Sequence, residues 1–360
     1  MSLRDTDYLY ISTRLKARGQ KLMDKHKLSR LIEAKSGADA IKLLTENGWN
    51  AFDAENLAEC EAEIARQQKE TFELLYRYAP DRRMIDIFRL KYDYHNLKAI
   101  IKAQNLGIDP SLLLSSAGTV PKAELLAAIR EEQYSKLQKP MAKAAIEAAE
   151  LLGRTGDPQL SDLLLDRAMT EQMTALAADT ESDFLKGYVS LSVDLQNLRV
   201  LVRCARAGKG YDLLKRALFE GGNVSVNGFT GELTDDIIRQ RFAAAIFAEP
   251  VQAAVKALSG GAMAALDMAC DNALIKYLKG QSLAPFGEGQ LIGYLLAKES
   301  ELVSVRTVMA GRKAKLSPEQ ITERQTWPYL RTRKPGTNGY LIVPNRKRST
   351  SRLYIVTLLI

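Results

Sequence analysis

Residues able to carry reactive chemistry are sparse in this 360-residue chain and do not assemble into known patterns. The two histidines, His26 and His95, lie 69 positions apart, and no HExxH pair exists. The cysteines Cys60, Cys204 and Cys270 form no CxxC pair, so neither a zinc ribbon nor a redox pair is suggested; they read as small buried residues of a reducing compartment. No GxxxxGK[ST] loop offers to cradle phosphate, and Gly287–Gly293 has one residue too many for GxGxxG and follows no strand. Asp235 and Asp236 read as acids at a positive helix start. Asp166 and Asp267 precede Arg199 and Arg306 by unequal distances, 33 and 39 residues, so a repeat correspondence between them is weak. The Asn223-Val224-Ser225 sequon has no secretion signal to serve it. Nothing joins a nucleophile to its base. The expectation is therefore a chain with no catalytic residue, no metal site and no bound cofactor.

The charged residues that do follow a pattern occur three times. Asp93, Asn96 and Lys98 recur as Asp194, Asn197 and Arg199, then as Glu301, Ser304 and Arg306. Each copy has an acid at i, a small polar residue at i+3 and a base at i+5. Apolar residues stand at i+1 and i+4: Tyr94 and Leu97, Leu195 and Leu198, Leu302 and Val305. The copies are 101 and 107 residues apart. On a helix, i+1 and i+4 share an inward stripe, while the acid and the i+3 residue are neighbours on an adjacent face. Acid and base diverge by about 140° at 100° per residue, so each is expected to pair across to another helix. A single copy reads as an exposed charged face over two core residues. Three copies, each late in a long helix that ends in glycine (Gly107, Gly208, Gly311), read as a repeated helix-packing unit with a structural role.

The elements that must carry these motifs are helical. Ala, Leu, Lys, Glu and Arg are abundant and aromatic residues make up only 7%. Apolar residues recur at helical spacing over 7–35, ended by Ser36-Gly37, and a short helix over 38–44 stops at Asn47-Gly48. Further helices are predicted over 52–78, 82–105, 122–132, 139–152, 161–177, 181–207, 211–219, 233–246, 249–258, 262–279 and 287–310, with a last one from Pro318. Gly153–Pro158 reads as a linker and the glycine-rich 220–231 segment as a loop. No stretch of about 18 apolar residues is present, so nothing is expected to span a bilayer. The body, residues 1–324, reads as all-α.

The net charge of +8 does not mark a nucleic-acid binder. Residues 325–360 hold seven cations and no Asp or Glu; subtracting those seven from +8 leaves +1 for residues 1–324. That last segment also carries three prolines and ends in the apolar octet LYIVTLLI.

Several stretches together carry a family resemblance. YLYISTRLKAR (residues 8–18) with Leu22 resembles the opening of the C subunits (d in eukaryotic naming) of V-type rotary ATPases. KYDYHNLKAIIKA (91–103), VDLQNLRVLVRCA (193–205) and GYLLAKESELVSVRTVMAGRKAKLSPEQITER (293–324) resemble that family's three repeat signatures in order. The resemblance implies three pseudo-repeated helical lobes, over 1–115, 116–225 and 226–324, forming a funnel-shaped socket. It implies a non-catalytic central-stalk component that couples the D and F shaft subunits to the membrane proteolipid ring (c, K or L subunits). Such a chain would sit on the cytoplasmic face and meet the membrane through the ring. A generic helical scaffold is the competing reading. Residues 325–360 depart from the family's pattern; the favoured expectation is an altered C-terminus such as a reading-frame shift would produce, against a basic tail with an apolar anchor for acidic lipid.

Overall fold

In a computed structural model of the chain, residues 5–208, 214, 216–229, 233–282 and 286–324 are described. The expectations for 325–360, and much of that for a helix over 211–219, lie outside those residues. Among the described residues every regular element is helical, so the protein is all-α.

The N-terminal region holds α1 (Leu9–Gly19), α2 (Lys25–Ile32), α3 (Gly37–Glu46) and α4 (Leu57–Tyr78). The apolar run over 7–35 is thus two helices rather than one. Asp24 ends the continuity: its carboxylate accepts the Lys27 backbone N–H at 2.8 Å and caps α2. Ser36 and Asn56 cap α3 and α4 in the same way.

The middle region holds α5 (Arg83–Leu106), α6 (Lys122–Arg130), α7 (Lys139–Thr155), α8 (Pro158–Ala178) and α9 (Asp183–Arg206). Gly107 adopts φ +67 and closes α5, a left-handed position that favours glycine. The expected 153–158 linker is shorter than predicted. Helix α7 runs on to Thr155, and α8 starts at Pro158 with Asp157 as its cap, leaving two residues between them.

The last region holds α10 (Asp235–Arg241), α11 (Ala248–Leu258), α12 (Met263–Ser282), α13 (Glu288–Lys313) and α14 (Pro318–Glu323). Helix α13 continues two residues past Gly311. That glycine is needed for space, not for a turn: a Cβ there would stand 2.7 Å from Ile321 Cγ1, so α14 packs directly on the α13 backbone.

The chain divides into two units. One combines described residues up to Pro80 with those from Thr234 onward; the other comprises those within Asp81–Leu233. In the first, Leu28, Leu31 and Ile32 of α2, Leu44 of α3 and Ile64 of α4 pack with Leu302, Val305 and Val308 of α13. In the second, Leu90, Tyr94, Leu97 and Ile101 of α5 pack with Leu125 and Ile129 of α6, Met141 and Ala145 of α7, and Leu165 of α8. The i+1 and i+4 residues of the first and third motifs therefore lie in the two cores.

Candidate functional site

The motif acids are not on a charged surface. Asp93, Asp194 and Glu301 are all 0% exposed, and Asn96, Asn197 and Ser304 are buried with them. The exposed-face reading of the motif is therefore overturned. A charge so deeply buried needs strong partners, and the acids of the first two copies find them in loop backbone rather than on another helix.

On α5, Asp93 Oδ2 accepts the Thr119 N–H at 2.9 Å and the Thr119 hydroxyl at 2.7 Å, while Oδ1 accepts the Val120 N–H at 3.0 Å. One turn along, Asn96 grips the backbone of Ser115 at both ends: its Nδ2 donates to the carbonyl and its Oδ1 accepts the N–H, each at 2.8 Å. Arg89 adds hydrogen bonds from its guanidinium to the carbonyls of Ala117 and Gly118. On α9 the geometry is repeated. Asp194 Oδ2 accepts the Asn223 N–H at 3.0 Å and Oδ1 accepts the Val224 N–H at 2.9 Å. Asn197 grips Phe219 through its carbonyl at 2.8 Å and its N–H at 2.9 Å.

Two glycines permit this approach. A Cβ on Gly118 would stand 2.1 Å from Asp93 Oδ1, and a Cβ on Gly222 would stand 2.1 Å from Asp194 Oδ1. The signal was present in the sequence as SSAGTV (115–120) and FEGGNV (219–224), whose glycines follow the acids by 25 and 28 residues. The helical motifs alone did not reveal it. Burial raises both carboxyl pKa values, opposed for Asp93 by the bonds from Thr119 and Val120 and for Asp194 by those from Val224 and Asn223.

The third copy is built differently. Glu301 Oε1 accepts the indole N–H of Trp49 at 2.9 Å, and Lys298, one turn earlier on α13, donates to Oε2 at 3.2 Å. Lys298 also lies 5.2 Å from the centre of the Trp49 ring. Trp49 is presented by a loop held on both sides by α4: Gln67 Nε2 donates to the Gly48 carbonyl, and the Asn50 N–H donates to Glu63, both at 2.9 Å. Gly48 itself has φ +90. The third acid thus closes on the N-terminal region, 252 positions away.

Lys98 and Arg306 pair across to another helix. Lys98 donates to Asp166 of α8 at 2.6 Å, and Lys102 to Asp162 at 3.1 Å. Asp166 therefore pairs with the base of the first motif copy, Lys98. Burial raises the Asp166 carboxyl pKa, opposed mainly by Lys98. Arg306 makes a bidentate pair with Glu61 of α4 at 2.6 and 2.8 Å. Arg199 is buried.

His95 and Cys60 are held in structural roles. His95 Nε2 donates to the Leu113 carbonyl at 3.1 Å, and burial lowers the ring's pKa, favouring the neutral form. Burial pushes the Cys60 thiol up to about 11, which keeps it protonated and unreactive. Among the described residues no three His, Cys, Asp or Glu side chains gather where they could hold a metal, and no helix is long and apolar enough to cross a membrane.

Long helices with buried carboxylates gripping loop backbone define an all-α protein. Residues 11–324 match the family model described as ATP synthase (C/AC39) subunit, and the chain belongs to that family. It is 24% identical to the C subunit of the A-type ATP synthase of Methanocaldococcus jannaschii, over 87% of this chain and 85% of the relative. It is also 24% identical to the C subunit of the V-type ATP synthase of Thermus thermophilus, over 89% and 99% respectively. With the C subunit of the V-type sodium ATPase of Enterococcus hirae it shares 19% identity, over 90% and 99%.

Proposed function

We propose that this chain is a non-catalytic central-stalk component that couples the rotating D–F shaft of a rotary ATPase to the membrane proteolipid ring. The family match over residues 11–324 carries this reading. The geometry supports it. A torque coupling must be stiff, and close-packed helices transmit strain. The buried clamps at Asp93, Asp194 and Glu301 tie long helices to the loops and segments beside them. In this reading the nine motif residues are structural, and the chain forms three lobes, over 1–115, 116–225 and 226–324, arranged as a socket. It works on the cytoplasmic face and reaches the membrane through the ring, without nucleic acid or cofactor.

The test is binding of the full-length chain to a purified D–F shaft and to the isolated ring, with ATP hydrolysis followed in parallel. Binding to both, with no hydrolysis by the chain itself, is the expected result. A folded chain that binds neither refutes the coupling role and leaves the scaffold reading.

A further inference from the structure

Beyond the motifs, an exposed cluster at α1 and the end of α4 is built like a binding surface. Tyr10 and Leu9 are 59% and 47% exposed. The rings of Tyr10 and Tyr78 lie 5.1 Å apart and tilted, and the Arg14 guanidinium stands 5.2 Å from the centre of the Tyr78 ring. Arg14 Nη1 donates to the hydroxyl of Tyr10 at 2.9 Å and to that of Tyr78 at 3.5 Å. The Arg77 guanidinium adds a second cation 6.0 Å from the Tyr78 ring. Among the described residues neither arginine has a carboxylate within ion-pair distance, and Arg14 makes no hydrogen bond through Nε or Nη2.

The arrangement leaves specific capacity unused. The free edge of the Arg14 guanidinium matches a carboxylate in bidentate fashion. Both phenols accept from Arg14 and the Tyr78 hydroxyl also hydrogen-bonds that of Tyr10, which leaves the Tyr10 O–H to donate to the same anion. The Tyr10 ring supplies apolar surface beside it. Tyr and Arg are among the residue types that dominate binding energy at protein interfaces. The Arg14 bond also holds the Tyr10 phenol below its usual pKa range and makes it a better donor.

We infer that Tyr10, Arg14, Arg77 and Tyr78 form a docking site for an acidic protein segment, an Asp or Glu beside an apolar residue, on a neighbouring protein of the complex. This rests on the coupling role proposed above. The occupant follows from charge complementarity: two arginines without a carboxylate partner among the described residues call for an acid. The chain's own residues 325–360 contain seven cations and no Asp or Glu.

The test uses the full-length chain and measures Kd for the isolated shaft and for the ring, each at two salt concentrations. Arg14→Gln and Tyr10→Ala are compared with Lys143→Gln, a control at a lysine that is 77% exposed on α7. Circular dichroism verifies folding, and Tyr10→Ala touches only an exposed side chain. The expected result is a loss of about tenfold or more in affinity for the same one partner in both variants. Arg14→Gln should also flatten the salt dependence, and Lys143→Gln should leave affinity unchanged. A loss under about tenfold for both partners overturns the site while leaving the coupling role intact. So does an equal loss from Lys143→Gln, or an Arg14-dependent binding to protein-free vesicles of phosphatidylserine, which would make the occupant a lipid headgroup. Failure of the unaltered chain to bind either partner refutes the coupling role, and the site falls with it.

Discussion

Replacing Gly118 with alanine tests whether the acid motifs work as clamps. The new Cβ would stand 2.1 Å from Asp93 Oδ1, and ordinary contact begins near 3.4 Å, so carboxylate and loop must separate by about 1.3 Å. The bond from Val120 N–H, now 3.0 Å, does not survive that shift, and the two from Thr119 are strained with it. Leaving one or two buried N–H groups unsatisfied costs about 1–3 kcal/mol each, so the total loss is about 3 kcal/mol. With a denaturation slope of about 1–3 kcal/mol/M, the urea midpoint should fall by about 1 M or more. Gly107→Ala is the comparison. Its φ is +67 but nothing lies within 4 Å, so only the left-handed conformational cost of about 1 kcal/mol applies. Because the overlap is with one side chain, Asp93→Ala in the Gly118→Ala background should cost less than the two single changes added together. Equal costs for Gly118→Ala and Gly107→Ala, or strict additivity with Asp93→Ala, would refute the clamp.

The other clamps make further claims. Trp49→Phe removes the indole donor to Glu301 and should lower the unfolding free energy by about 1–2 kcal/mol in chemical denaturation. Burial works to raise the Glu63 pKa, but bonds from Arg66, Asn50 and Gln67 outweigh it and the value is lowered. A depressed carboxyl contributes stability above its unfolded pKa and loses it as pH falls through the folded value. Glu63→Gln should therefore destabilise the protein at about pH 7, and the gap to the unaltered chain should close below about pH 4. Lys98→Met alone should be clearly destabilising because it strands Asp166, whereas Lys98→Met with Asp166→Leu should recover most of the loss; a double-mutant cycle with no coupling contradicts this.

The helical class and most helix positions were legible because apolar spacing and caps agree along the chain. The break between α1 and α2 was carried by one residue, Asp24, inside an otherwise continuous apolar pattern. The motif residues were found by spacing, but their burial was not. Charged side chains are almost never fully buried unless paired, and a helix buried on all sides at its motif shows no polar face to read. The partners were hidden for a simpler reason. Thr119 and Val120 lie 26 and 27 positions from Asp93, and the loops echo each other only as Gly-Thr-Val and Gly-Asn-Val. For Glu301 no search downstream could succeed, since Trp49 lies far upstream. Glycine spacing misled at Gly311, where a helix end and a close helix contact leave the same letter.

That last clamp has a consequence for biosynthesis. Leu28, Leu31, Ile32 and Leu44 bury against Leu302, Val305 and Val308, which the ribosome makes roughly 250 residues later. At about 5–20 residues per second, the emerging α2 and α3 wait about 10–50 s for that core partner. Closing so long a loop is entropically slow. Helices α2 and α3 thus emerge long before α13 and are fully packed only after it, a window in which a nascent-chain chaperone can meet them.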